Sequence, residues 1–241
     1  MSDSKRLQGR IALVTGASRG IGEAVAKRFA AEGAHVIAVA RTQSALERLD
    51  DAIHDAGGTV TLVPLDLRDF DQIDHLGGVI AERWGKLDIL VGNAGILGTL
   101  SPVGHIKPKV WQEVMDVNVT ANYRLIRSFD ALLRASDAGR AMFVTSGVAQ
   151  SAAPAYWGAY ATSKSALEML VKTYAAEMEK TNVKVNMVDP GVVRTHMRKE
   201  AYPGEDATQH PLPSAITDRF VELALPTTQE NGEICHVKIA A

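Results

Sequence analysis

Short continuous apolar runs alternate along the chain with longer runs in which apolar residues recur at helical spacing. Residues 10–15 (RIALVT) predict a buried strand. Residues 20–32 follow as a helix, with Ile21, Val25 and Phe29 at i, i+4 and i+8 on one face. Gly33 is placed to end that helix in a left-handed conformation. The cycle repeats, with strands predicted at 35–40, 59–66, 87–91, 140–145, 183–188 and 233–237. Helices are predicted at 44–56, 69–84, 108–135, 160–180 and 214–225. Pro64 interrupts the regularity of the third strand, and Gly77-Gly78 weaken the helix around them. Residues 195–213 carry three prolines and little periodicity. Strands alternating with helices of this length specify βαβ units and a parallel sheet, and right-handed crossovers put helices on both faces. The expectation is an α/β, doubly wound parallel sheet of about seven strands. No repeat, linker or second core is visible, so residues 1–241 are expected to form one domain.

Composition narrows the function. The 241 residues are 46% hydrophobic, enough for one large core. The formal net charge is −2, from 26 Lys+Arg and 28 Asp+Glu, and no long basic run exists; nucleic acid is not an expected partner. The one basic cluster, between Arg194 and Lys199, is short and reads as a solvated loop or helix start. A lone cysteine, Cys235, forbids an internal disulfide and suits a reducing compartment. The first residues lack an apolar leader, and no stretch approaches the ~18 apolar residues of a membrane span. A cytoplasmic protein without membrane attachment is expected. The seven histidines show no metal-ligand spacing, so no metal is expected.

Chemistry first shows after strand one, in Gly16, Ala17, Ser18, Arg19, Gly20, Ile21 and Gly22. Glycines let a backbone turn sharply and approach a phosphate, and the next helix offers free N–H groups and the positive end of its dipole. The spacing is Gly-x-x-x-Gly-x-Gly and differs from the commoner Gly-x-Gly-x-x-Gly fingerprint. Its place between strand and helix predicts a dinucleotide site on a Rossmann-like sheet; the plainer alternative is a tight turn that binds nothing. Strand two ends in Ala40-Arg41-Thr42, where an acid would accept from a ribose 2′-hydroxyl and an arginine would pair with a 2′-phosphate. With Arg19 opposite, Arg41 predicts NADP(H) in preference to NAD(H), which stays possible.

Tyr160 and Lys164 lie four apart on a predicted helix, on one face. A phenol titrates near pH 10, and lowering it by about three units requires roughly 4 kcal/mol. An ammonium about 4 Å away supplies about that much at an effective dielectric near 20. An oxidised nicotinamide ring adds positive charge. The pair is a physically sufficient acid–base device, although Tyr and Lys at this spacing also occur by chance.

Residues 15–22, Asn93-Ala94-Gly95, Asn118, Ser146, Tyr160, Lys164 and Pro190-Gly191, in this order and spacing, resemble the short-chain dehydrogenase/reductase family over roughly residues 8–195. Around 111–125 and 157–166 the chain looks particularly like bacterial members without an assigned substrate. The resemblance implies that Tyr160 exchanges a proton with the substrate oxygen and that Lys164 lowers its pKa and holds the nicotinamide ribose. Ser146 would orient the substrate oxygen, and Asn118 would hold a water linking Lys164 to solvent. Asp66 would meet the adenine amine beside Leu67. Asn93, Ala94 and Gly95 would line the adenosine ribose and stabilise the sheet. Pro190, Gly191, Val193 and Thr195 would contact the nicotinamide.

Two departures stand out. The first of two asparagines usual before Ala-Gly is here Gly92, a change expected to cost local rigidity and not chemistry. The serine usual thirteen residues before the tyrosine is here Gly147, with Ser146 one residue earlier. Either a one-residue insertion after Ser146 keeps that serine in place, or the serine position is lost. The insertion is favoured, because the interval from Asn118 to Ser146 matches the family.

The substrate site is expected at 96–100, 152–157 and 195–213, with Leu97, Tyr156 and Trp157 as contacts and Met197 and Tyr202 nearby. That content fits a modest hydrophobic ketone, aldehyde or secondary alcohol, and Arg194, His196 and Arg198 leave room for an anionic tail. Residues 195–225 form the expected substrate-loop region, with a mobile lid at 203–213. The long helices 108–135 and 160–180 are expected to pack in a homodimer or homotetramer, and the tail after 238 is too short for a swapped arm. The leading expectation is an NADP(H)-dependent oxidoreductase. A catalytically weakened redox sensor, an NAD-preferring dehydrogenase, and epimerisation or dehydration are the alternatives.

Overall fold

A computed structural model describes residues 5–150 and 154–237. Residues 152–153 of the expected pocket wall and the tail after 238 lie outside the described residues. Seven parallel strands form one sheet in the order β3-β2-β1-β4-β5-β6-β7. They are β1 (Ile11–Thr15), β2 (His35–Ala40), β3 (Thr59–Pro64), β4 (Ile89–Gly92), β5 (Arg140–Val144), β6 (Lys184–Asp189) and β7 (Ile234–His236). The inner strands are buried throughout, because helices cover both faces; this is why their sequences are continuous and not alternating.

On one face lie α1 (Gly20–Ala31), α2 (Gln43–Asp55) and α8 (Thr217–Ala224), which bury Val25, Phe29, Leu46, Leu49 and Phe220 against the sheet. On the other lie α3 (Phe70–Trp84), α4 (Pro108–Met115), α5 (Ala121–Ala135) and α6 (Gly158–Glu177), with Ile73, Ile80, Phe129, Leu167 and Val171 inward. The seventh helix, α7, spans His196–Ala201.

Four expectations change. The helix predicted over 108–135 is broken by a π-helical segment, Asp116–Thr120, in which the Ala121 N–H reaches back five residues to the Asp116 carbonyl. Helix α3 runs unbroken through Gly77 and Gly78, held by its buried face against α5. Pro64 closes β3 opposite Ala40 at the sheet edge, where its missing N–H removes no ladder bond. The segment 195–213 holds helix α7, whose N-cap Thr195 accepts from the Arg198 N–H.

The strand order reverses between β1 and β4. Thr15 fastens that switch point: its hydroxyl donates to the Val91 carbonyl and accepts from the N–H groups of Asn93 and Ala94. Open α/β sheets bind ligands outside the carboxyl ends of their strands at such a point. Among the described residues no helix is long and apolar enough to cross a membrane, and no cluster of His, Cys, Asp or Glu is placed to hold a metal ion.

Candidate active site

A cleft of about 850 Å³ opens over the carboxyl ends of the strands. Most residues singled out from the sequence line it: Gly16, Ser18, Arg19, Gly20, Ile21, Arg41, Asp66, Leu67, the Asn93–Gly95 turn, Ser146, Tyr160, Lys164, Pro190, Gly191, Val193 and Thr195, together with Leu97 and Trp157. Three do not. Gly22 lies behind the turn, where a Cβ would fall 2.3 Å from the Gly16 carbonyl oxygen and 2.5 Å from Asn93 Nδ2. Its role is close packing of helix against strand. Asn118 is fully buried beneath Gly95. Tyr156 is 58% exposed with φ of 76° and does not line the cleft.

At one end of the cleft, α1 begins after Arg19 without any side-chain cap, and Gly20 and Ile21 of its first turn line the cleft. Arg19 and Arg41 are exposed there and make no hydrogen bond or ion pair among the described residues. Asp66 is gripped by the neighbouring Arg68, through the backbone N–H, Nε and Nη2. These bonds, more than its partial burial opposes, hold its carboxyl below the ordinary range. Asn93 Nδ2 donates to the Thr15 carbonyl at 2.9 Å and so ties the switch point shut. This end can receive a dinucleotide: a turn without room for a Cβ, an uncapped helix start and two unpaired guanidinium groups all line one space.

At the other end, Tyr160 is 7% exposed and Lys164 is 3% exposed. The Ser146 side chain lies near enough to the Tyr160 phenol to lower its pKa. Ser146, Gly147 and Tyr160 all line the same cleft. Lys164 Nζ lies 5.7 Å from the centre of the Tyr160 ring and donates to the Val144 carbonyl at 2.8 Å. Burial pushes the phenol up to about 12, Ser146 pulls it down and the Asp189 carboxylate pushes it further up. Lys164 falls to about 8, because burial outweighs the attraction of Glu168. The sequence argument counted the Lys164 ammonium and an oxidised nicotinamide ring and left out the desolvation of the phenol. In the protein by itself the phenol keeps its proton at neutral pH.

Trp157 stands edge-on to Tyr160 with ring centres 5.8 Å apart, and Tyr202 leans on Trp157 at 5.9 Å. This aromatic wall joins the catalytic end to segment 195–213. Arg194 and Arg198, which the sequence left open for an anionic tail, are spent inside that segment. Arg194 Nη2 donates to the carbonyls of Thr208 and His210, and Arg198 pairs with Glu205 and lies over the Tyr202 ring. Glu205 also faces His210 at 3.0 Å. The sequence passed over several residues. Asp189, 7% exposed, accepts from the Gly191 N–H and faces His236; its place directly before Pro190-Gly191 was the available signal. Ser163, directly before Lys164, bridges Asn118 to the Tyr160 carbonyl.

Fold and site together define a protein of the short-chain dehydrogenase class. The short chain dehydrogenase family profile matches residues 10–206, and the chain belongs to that family of oxidoreductases. An uncharacterized oxidoreductase of Escherichia coli K12, YciK, is 37% identical over 220 residues, covering 90% of this chain and 86% of that protein. A short chain dehydrogenase structure from Pseudomonas syringae superposes with a TM-score of 0.94 at 36% identity, over 99% of this chain and 98% of that one. One from Shigella flexneri 2a, complexed with NADP, gives 0.93 at 34% identity, over 97% and 99% of the two chains.

Proposed function

We propose that the protein transfers hydride between NADP(H) and a carbonyl or secondary alcohol, with Tyr160 as the acid–base group. The observation that carries this reading is that buried Tyr160 and Lys164 line one cleft with Ser146, the glycine turn, Arg19 and Arg41. The NADP complex of the Shigella flexneri relative supports the choice of cofactor class. When bound, NADPH supplies a hydride to the carbonyl carbon, and NADP+ accepts one in reverse.

The chain's own work is proton delivery and orientation. Tyr160 holds its proton at neutral pH and donates it to the substrate oxygen in reduction. Ser146 orients that oxygen and stabilises the charge developing on it. Lys164 sets a positive charge under the site, and Asn118, behind Gly95, holds the far side of the proton path. Leu97, Trp157, Met197 and Tyr202 wall the substrate end, which favours a modest apolar carbonyl. Ser146 beside Tyr160 and Lys164 in one cleft favours turnover over the redox-sensor alternative, whose sole support was Gly147. Tyr123 on α5 and Met169 on α6 are exposed, 47% and 65%, which supports a homodimer or homotetramer packed through these helices.

The direct test follows reduced-nicotinamide absorbance against a panel of ketones, aldehydes and secondary alcohols. No consumption with any of them, in either direction, removes the reading; product formed without net cofactor change replaces it with epimerisation or dehydration.

Two substitutions separate the parts. Ser146→Ala is expected to lower kcat by about 10²–10³-fold, the usual cost of a donor to a developing oxyanion. Full turnover in that variant would show that Ser146 has no such role. Arg41→Ala is expected to shift the NADPH-to-NADH ratio of kcat/KM by roughly ten- to a hundredfold, since a charge-assisted bond to phosphate contributes about 1.5–3 kcal/mol. An unchanged ratio would return NAD(H) to equal standing.

A further inference from the structure

Gly92 ends β4 in register with Phe143 of β5. A Cβ at this position would lie 2.5 Å from Asn122 Oδ1 and 2.5 Å from Phe143 Cδ1. The volume that a side chain at 92 needs is already filled, by a carboxamide arriving from the start of α5. Asn122 is 3% exposed, and its Nδ2 donates to the Asn118 carbonyl at 2.8 Å. That carbonyl lies in the π-helical segment, where the backbone ladder is shifted by one residue. A side-chain donor there satisfies a buried carbonyl at the point where the regular helical pattern changes.

The contact continues into the site. Asn118 Oδ1 accepts from the Ile96 N–H at 2.9 Å. Its Nδ2 donates to the Ile96 carbonyl at 3.0 Å and to Ser163 Oγ at 2.9 Å. Ser163 Oγ donates to the Tyr160 carbonyl at 2.7 Å. One connected set of bonds thus runs from Asn122 to the backbone of Tyr160. Above it, a Cβ at Gly95 would sit 3.4 Å from Asn118 Oδ1 and 3.6 Å from Lys164 Nζ, so Gly95 leaves a gap between the carboxamide and the ammonium.

We propose that Asn122, admitted by Gly92, is a positioning residue that fixes Asn118 opposite Lys164 for proton delivery through Tyr160. Gly92 and Asn122 are complementary in volume: the space a side chain at 92 would take is filled by the Asn122 carboxamide and the Phe143 ring. Gly92 is therefore not a loss of rigidity, as its sequence alone implies. The inference rests on the proposed hydride transfer and adds a residue to it.

The test measures kcat, KM for NADPH, the pH profile of kcat, NADPH binding by nucleotide fluorescence, and Tm. The proteins are wild type, Asn122→Ala, Asn122→Leu, Gly92→Asn and Tyr160→Phe. Asn122→Ala is expected to lower kcat roughly tenfold, to keep KM and NADPH binding within about twofold, and to move the pH limb of kcat by about half a unit or more. Gly92→Asn alone is expected to lose at least as much. Asn122→Leu, which keeps the volume and removes the donor to the Asn118 carbonyl, is expected to match Asn122→Ala in kcat and pH limb.

Wild-type kcat and pH limb in Asn122→Ala overturn the inference. So does a fall in kcat that follows Tm with the pH limb unmoved, since that is packing alone. Should Asn122→Ala not fold, Asn122→Leu decides: a loss of kcat with a moved pH limb supports the inference, and wild-type behaviour overturns it. A wild type without hydride transfer, or Tyr160→Phe with full kcat, fails the proposed function and this inference together. Normal behaviour of those two with no pH shift in the Asn122 set fails the inference only.

Discussion

Tyr160→Phe is expected to lower kcat by about 10³-fold, inside the 10²–10⁴ range that a positioned proton donor contributes. The change removes one oxygen and keeps the ring, so the edge contact with Trp157 and the burial of the helix face persist. NADPH binding and Tm are therefore expected to stay close to wild type, and the loss to fall on kcat. Residual turnover would come from orientation and from Ser146. A variant that retained more than about a tenth of wild-type kcat would show that another group supplies the proton. The pH profile gives a second reading of the same chemistry. Lys164 loses its charge near pH 8, and Tyr160 keeps its proton to about 12. Reduction is thus expected to decline on the alkaline side as Lys164 discharges, well before the phenol itself ionises.

The second large effect lies at the opposite pole of the sheet. Asp88, 3% exposed, precedes β4 and joins three strands at their amino ends. Its Oδ2 accepts from the Ile11 N–H at 2.9 Å, and its Oδ1 from the Ser136 hydroxyl and from Lys86 Nζ. Its carbonyl accepts from Arg10 Nη2 and from the Arg140 N–H. Arg140 itself, 3% exposed, donates to the carbonyls of Gly139, Asn182, Leu225, Pro226 and Thr228. Burial brings Arg140 down to about 10, with Arg10 adding repulsion.

Asp88→Ala removes the buried carboxylate paired with Lys86 and attractive to Arg10, and strands the Ile11 N–H and the Ser136 hydroxyl. Breaking a buried ionic set this way costs about 3–5 kcal/mol. In a chain of this size that corresponds to a fall in Tm of roughly 6–20 °C. kcat at low temperature is expected to hold, because Asp88 is a strand length from Tyr160. A shift of less than about 2 °C would show the cluster to be energetically neutral. The pH dependence has a definite sign. Burial opposes the Asp88 charge, but Ser136, the Ile11 N–H and Lys86 together hold its carboxyl below the usual range. Its contribution is present above the ordinary carboxyl pKa and is lost as the pH falls below it.

The strands were legible because a parallel strand covered on both faces has to be apolar throughout, as residues 10–15 and 35–40 are. Helix ends were less legible: α6 begins at Gly158, two residues ahead of expectation, after a Trp157 cap that makes no side-chain bond. The π-helical segment leaves no trace in the apolar pattern, since one shifted residue barely disturbs the period. Helix α7 is six residues long, too short to display a period at all.

In the site, positions set by local motif were visible: the glycine turn, Ser146, Tyr160 and Lys164. Roles that depend on meetings between distant segments were not. Asn122 gains its part only where Gly92 makes room, and Arg194 and Arg198 lose theirs because Thr208, His210 and Glu205 fold back onto them. The burial that raises Tyr160 in the protein by itself was not legible for the same reason. Desolvation belongs to the whole packed core, and a pair of letters four apart does not carry it.

The buried arginines and Asp88 anchor one rim of the sheet, and the reacting groups occupy the other. Strength and reactivity are thus separated by the length of a strand. Segments that meet the substrate can drift under selection for new compounds while the foundation that keeps the chain folded is left untouched. An ancestral scaffold arranged in this way can diversify at one pole without first becoming fragile at the other.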